Sequence, residues 1–341
     1  MPHERIISLA HGSGGRLMHD LIRDTLRSRF TNTILDALGD SACLGDLGMS
    51  GNREVCFTTD SFVVQPLFFP GGDIGKLSVC GTVNDLAMEG AEPLFLSCAM
   101  IAEEGLDMDN LERAADSMAR TAEEAGVRIV TGDFKVVERG KGDGLFINTS
   151  GVGVRKKGIL PGLGGIQPGD RILINGTLGD HGLAVLAARN LFDIEIGAVS
   201  DCAALNSLVR AMLTAGEGLR FMRDPTRGGL AATLNEMTES GGFGITIEEN
   251  ALPLRDETRA ACEILGMDPL HLANEGKVVV CASPGNAQAI LEAMRRHPLG
   301  REAQDIGAVT PEPAGRVVIR TASGGRRVLD MPAGELYPRI C

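Results

Sequence analysis

Apolar residues arrive in short runs broken by glycine and polar turns, and the period inside each run predicts an element. EVCFTTDSFVV (54–64) predicts a strand that ends in a polar turn at Asp60, and IGKLSVCGTVNDLAMEGA (74–91) predicts a mostly apolar helix. PLFLSCAMI (93–101) follows as a strand. The clearest amphipathic helix is MDNLERAADSMARTAEEAG (108–126). Leu111, Ala114, Ala115, Met118, Ala122 and Ala125 mark one face, and Gly126 ends it. VRIVTGD (127–133) predicts a strand that stops at a glycine and an acid, and GLFINTSGVGV (144–154) another strand.

GILPGLGGIQPGDR (158–171) packs seven Gly and Pro residues together, which breaks helix and strand alike and marks a boundary. RILING (171–176) opens a second set, with helices expected at 181–190, 202–214, 228–240 and 284–297. FGITIE, KVVVCAS and GRVVIR supply its strands. Alternation in both halves gives a mixed α and β class with two lobes, 1–157 and 168–330. From Met331 the pattern fades. Residues 331–341, with Pro332 and Pro338, read as a loose tail whose extended reach is roughly 35 Å.

The length of 341 residues suits two domains. A net charge of −12 and an aromatic content of 4% remove both the basic surface and the stacking platforms that nucleic acid requires. No apolar run approaches a membrane span, and the opening MPHERIISLAHGSGG lacks a secretion signal, so a cytoplasmic location away from any membrane is expected. Eight cysteines contain no C-x-x-C pair and mostly sit in apolar runs, as buried hydrophobes do in a reducing compartment. Cys341, the last residue, lies outside any such run.

Five acids recur at the ends of apolar segments: Asp40 in LGDSACL, Asp60 in TTDSF, Asp85 in VNDLA, Asp133 in TGDFK and Asp224 in RDPTRGG. Each alone suits a turn or a helix cap. Together they suit Mg²⁺, which takes a few carboxylates with phosphate oxygens and water. Asp85 stands inside an apolar helix, where an unpaired charge is costly. HGSGGR (11–16) is a glycine loop whose amides can wrap phosphate, although it is not a Walker A motif. DPTRGGL (224–230) sets Arg227 before two glycines that open a helix with an anion-favouring end. Lys135 shares a strand face with Asp133, and Glu275 in LANEGKVVV precedes an apolar strand. A lysine and a carboxylate at one site can shuttle protons, while a surface ion pair is the plainer reading.

FTTDSFVVQPLFFPGGDIGKLSVCGTVNDLAMEGAEP, VTGDFKVVERG, GTLGDHG, DPTRGGL, ANEGKVVV, HPLG and the closing PRIC together resemble the HypE family of hydrogenase maturation proteins, nearly end to end. Its superfamily includes aminoimidazole ribonucleotide synthetase and selenophosphate synthetase. The resemblance implies an α/β (α+β), two-domain, aminoimidazole ribonucleotide synthetase-like fold. An N-terminal ATP-binding lobe would dimerise through its β-sheet, a C-terminal α/β lobe would follow, and a flexible tail would end the chain. It implies that the carbamoyltransferase HypF loads Cys341 with a carbamoyl group, which ATP then dehydrates to an S-cyanate. The cyanide passes to iron on the HypC–HypD complex. By motif match, Asp40, Asp85 and Asp224 would hold Mg²⁺, and Asp60, Asn84, Gly132, Asp133 and Arg227 would hold ATP. Lys135 and Glu275 would move protons beside the carrier Cys341. Departures from the family pattern are Phe134, Arg16 and Ser41, which stand where relatives carry a small polar residue, a lysine and a second acid. HGSGGR holds no cysteine, which argues against selenophosphate synthetase. Another synthetase of the superfamily, or a non-catalytic thiol carrier whose tail is switched by nucleotide, is the alternative.

Overall fold

The computed structural model describes residues 7–30, 32–37, 39–48, 51–189, 197–239 and 241–332. Cys341 and the rest of PRIC lie outside them.

The first sheet has the order β1-β2-β7-β5-β6, from β1 (Ala42–Cys43), β2 (Arg53–Phe62), β5 (Glu92–Glu103), β6 (Arg128–Val137) and β7 (Leu145–Lys156). Only β5 and β6 pair in parallel. A short hairpin, β3 (Phe68–Phe69) and β4 (Gly72–Asp73), leads into α2 (Ile74–Met88), and α3 (Met108–Ala125) joins β5 to β6. A short α1 (Arg16–Leu21) precedes them all. Asp73 caps α2 by accepting from the amides of Gly75 and Lys76, and its other oxygen accepts from Ser117 on α3 at 2.6 Å. The two helices touch at Gly75, where a Cβ would stand 2.1 Å from the Ala114 carbonyl oxygen.

The second sheet, β14-β13-β10-β12-β8-β11-β9, is antiparallel apart from the β10–β13 pair. Its strands are β8 (Arg171–Ile174), β9 (Leu219–Arg223), β10 (Gly244–Glu248), β11 (Val279–Ala282), β12 (Gln304–Thr310), β13 (Val317–Arg320) and β14 (Arg326–Val328). The helices are α4 (Asp180–Ala188), α5 (Asn206–Thr214), α6 (Gly229–Glu239), α7 (Asp256–Leu265) and α8 (Pro284–Arg296). Among the described residues no helix is long and apolar enough to cross a membrane.

The first sheet covers α2 and α3 with one face and leaves the other open. Phe57 and Ile101 are exposed on that open face, while Phe134 and Val136 are exposed on the other side, along the edge strand β6. Helix α2 has a second neighbour as well. Ala87 and Met88 pack with Leu205, Leu208 and Met222 of the second lobe, so 13 of its 15 residues are buried. That enclosure explains why its sequence is apolar on all sides.

Three expectations change. Strand β2 runs past Asp60 to Phe62, because β7 continues to pair with it through Ser61–Asn148. Strand β6 likewise continues through Gly132 and Asp133 to Val137 along β5. On α3, Ala115 is exposed while Ser117 and Thr121 are buried. Burial is tolerated because Ser117 donates to Asp73 and Thr121 to the Ser117 carbonyl. Helices α1 and α7 and strands β1, β3, β4, β9, β12 and β14 have no counterpart in the sequence reading.

Candidate active site

The cleft forms where β2 and α2 of the first lobe meet the segment after β9. Gly81 lets α2 approach β2 closely, since a Cβ there would meet the Phe62 ring at 2.9 Å. Asp85 lies one helical turn further on, on the same face. Thr58, two residues before Asp60 and on the same side of β2, sets its hydroxyl 2.8 Å from Asp85 Oδ2 and 3.1 Å from the Asp40 carbonyl. Asp224 follows β9 directly and is buried. Arg223 turns the other way, donating to Asp40 Oδ1 at 2.8 Å and to Glu236 Oε2 at 2.7 Å. Glu236 in turn meets His19 of α1 at 2.9 Å.

Burial pushes the pKa of Asp224 up to about 8, with the charge on Asp40 adding to the effect and Arg223 opposing it. Asp85 is held well above the ordinary carboxylate range by burial and by Asp224, Asp60 and Asp40, against which only the Thr58 hydrogen bond pulls. Asp60 and Asp40 are raised chiefly by burial, and Arg227 and Arg223 respectively counter it. The four carboxylates therefore destabilise one another's charge, and a cation would relieve all of them. Among the described residues no three His, Cys, Asp or Glu side chains form a ready metal-binding group. The donor set fits an ion that completes its shell with phosphate and water, as Mg²⁺ does.

The two glycine motifs meet beside these acids. Gly14, at φ +81°, lies against Arg227 so closely that a Cβ would fall 2.5 Å from the arginine Cβ. Arg227 donates to the Gly12 carbonyl at 3.2 Å and stands 3.8 Å from Asp60. Pro332 closes the same corner. Its carbonyl accepts from the Arg16 amide at 3.2 Å, and its ring is 3.6 Å from a Cβ built at Gly228. The chain is thus beside the acid cleft nine residues before Cys341.

Glu275 is buried on the second-lobe side of the cleft. Its amide donates to Asp201 Oδ1 at 3.1 Å, and Lys277 pairs with the same carboxylate at 2.8 Å. Among the described residues the Glu275 carboxylate has no hydrogen-bond partner. Burial and the neighbouring Cys202, Asp224, Asp60 and Asp201 hold its pKa well above the ordinary range.

Three predicted site residues lie elsewhere and one is already engaged. Asn84 donates to the carbonyls of Ala203 and Glu275 and accepts from the Leu205 amide, so its side chain joins α2 to the second lobe. Gly132 is in register with Cys98, Thr149 and Asp60 across the sheet, three strands or about 14 Å from Asp60. A Cβ there would stand 2.3 Å from the Cys98 carbonyl oxygen. Asp133 and Lys135 form a 2.7 Å ion pair, exposed on the open face of the sheet. Within one chain they stand on the opposite side of the sheet from Asp85 and Glu275. Strand parity forces this, because Asp133 aligns with Ser61 while Asp60 aligns with Gly132. Thr58, Arg223, Glu236 and His19 escaped the sequence reading. Only the position of Thr58, two before Asp60, gave any signal.

Family models for the N- and C-terminal domains of AIR synthase related proteins match residues 39–155 and 167–320. Carbamoyl dehydratase HypE of Rhodobacter capsulatus is 51% identical over 336 residues, covering 98% of both chains. That of Cupriavidus necator is 50% identical over 335 residues, covering 98% of this chain and 95% of the relative. A crystal structure of a HypE–HypF complex superimposes with a TM-score of 0.86 at 48% identity, covering 92% of this chain and 99% of that one. HypE in complex with ATP gives 0.81 at 46%, covering 98% and 100%.

Proposed function

The chain belongs to the HypE family of carbamoyl dehydratases, and on that premise we propose that its cleft uses ATP to convert an S-carbamoyl group on Cys341 into an S-cyanate. The observation that carries this reading is the position of Pro332, which delivers the tail to the corner between the glycine motifs and the acids. Nine further residues span up to about 30 Å when extended.

A carbamoyl oxygen leaves poorly. Transfer of the γ-phosphoryl group to it creates a phosphate leaving group, and loss of phosphate with two nitrogen protons gives the nitrile, with ADP as the other product. Arg227 and the amides of 12–15 and 228–229 offset phosphate charge. Asp85 and Asp224, with Asp40, would hold Mg²⁺, whose chemistry is to neutralise the phosphate oxygens. Asp60 holds Arg227 toward the nucleotide. Burial makes Glu275 a stronger base than an exposed carboxylate, suited to taking a nitrogen proton in a dry site.

Lys135 and Asp133 reach a cleft only from a second copy, and the open face of the first sheet, which exposes Phe57 and Ile101 together with them, is the surface that pairs two copies. HypF supplies the carbamoyl group, and the HypC–HypD complex receives the cyanide. Replacement of Glu275 by Gln, or of Lys135 by Ala, is expected to leave ATP affinity within about threefold while the tail stalls as the carbamoyl form. Unimpaired cyanate formation in both variants removes these residues from the chemistry.

A further inference from the structure

Cys43 and Cys56 play no part in the reaction above, yet they face each other across β1 and β2 with their sulfurs 3.4 Å apart. Directly opposed positions on antiparallel strands bring Cβ atoms to within about 4.5–5.5 Å, close to the separation a disulfide needs. Bond formation requires the sulfurs to approach by about 1.4 Å, from 3.4 Å to a bond length of about 2.05 Å. Strand β1 can supply that movement, because it has two residues and forms the edge of the sheet. The pair is asymmetric. Cys56 is fully buried against Leu86 and Ala91, whereas Cys43 is half-buried. Glu89 Oε2 lies 3.8 Å from the Cys43 sulfur, and Arg155 grips both Glu89 and Glu54 beside the pair.

We propose that Cys43 and Cys56 form a reversible dithiol–disulfide site that takes a hydroperoxide as oxidant and, when oxidised, fixes the segment after Asp40 to β2. Cys43, the reachable sulfur, attacks the peroxide, giving its proton to Glu89. The O–O bond breaks, Cys43 becomes a sulfenic acid, and the departing hydroxide takes that proton from Glu89 and leaves as water. The Cys56 sulfur then attacks the sulfenic sulfur, forming the S–S bond and releasing the second oxygen as water. Two thiols thereby lose two electrons and two protons, and one hydrogen peroxide becomes two waters. In the dithiol the shared hydrogen bond and burial hold the Cys43 thiol up, so its attack depends on passing the proton to Glu89. The Arg155 charge beside the pair favours a thiolate on Cys56 for the second step. The new bond closes a loop anchored three residues after Asp40 and four before Asp60, two of the acids of the cleft.

The full chain is treated with hydrogen peroxide, quenched, and mapped by differential alkylation and peptide mass, with amide exchange followed in parallel. Peptides containing Cys43 and Cys56 are expected joined and 2 Da lighter than their sum, and separated again by dithiothreitol. The buried Cys80, Cys202 and Cys281 stay alkylatable after unfolding. Amide exchange of residues 41–46 slows at least tenfold in the oxidised protein, but not in peroxide-treated C56S. Recovery of Cys43 and Cys56 as free thiols at a dose that oxidises Cys341 overturns the proposal. So does oxidation of Cys43 to sulfinic acid without a link, or a link accompanied by unchanged exchange.

Discussion

Asp85 carries a cost at the scale of the single residue. It is a carboxylate on an apolar helix beside three others, with one hydroxyl for support. Replacing it with Asn keeps the shape and removes the repulsion. The nucleotide-free protein is expected to gain about 0.5–2 kcal/mol, read as a raised melting temperature, while dehydration falls at least a hundredfold. Lost stability in the variant would contradict the electrostatic reading. Asp224 allows a second test. Its folded pKa of about 8 lies far above the unfolded value of about 3.9, so the folded state holds the extra proton between those limits. The stabilisation is therefore complete below about pH 3.9 and is lost as the pH rises through about 8. Asp224→Asn should flatten the fall in stability of the nucleotide-free protein between pH 5 and 9. An equally steep fall in the variant would place the titration elsewhere.

At the scale of elements, periodicity exposed the strands and helices that have one apolar side, and it failed where pairing or satisfaction of polar groups decided. Glycine and acid at 132–133 look like a strand end, yet β5 offers a partner that carries β6 on to Val137. Ser117 and Thr121 look like solvent positions, yet their hydroxyls are satisfied inside. The separation of Lys135 from Glu275 depends on strand order and parity, which no local pattern encodes. Strand β5 also makes a prediction of its own. Ile101 is 41% exposed on the open face, in register with Lys135, so Ile101→Asp should cost the single chain little and prevent the proposed pairing of two copies. Sedimentation is expected to show a monomer with less than a tenth of the activity. A variant that still pairs would move the dimer contact off this face.

At the scale of the whole molecule, the two lobes join through the Asn84 hydrogen bonds and the packing of α2. The cleft between them gathers acids distant in sequence: Asp40, Asp60, Asp85, Asp224 and Glu275. The repeated setting of Asp40, Asp60, Asp85 and Asp224 at the ends of apolar segments was legible in the sequence, but the same setting also marked Asp133, which strand parity turns to the other face of the sheet. The work of Asn84 was not legible, since its three partners lie about 120 to 190 residues away. Pro332 links this cleft to the end of the chain. The most direct measurement is the mass of the Cys341 peptide from full-length protein loaded by HypF with carbamoyl phosphate, before and after ATP and magnesium. Loss of one water, about 18 Da, only when ATP is present is the predicted result. A carbamoyl group retained intact under every nucleotide condition would contradict the dehydratase account and leave the tail as a passive carrier.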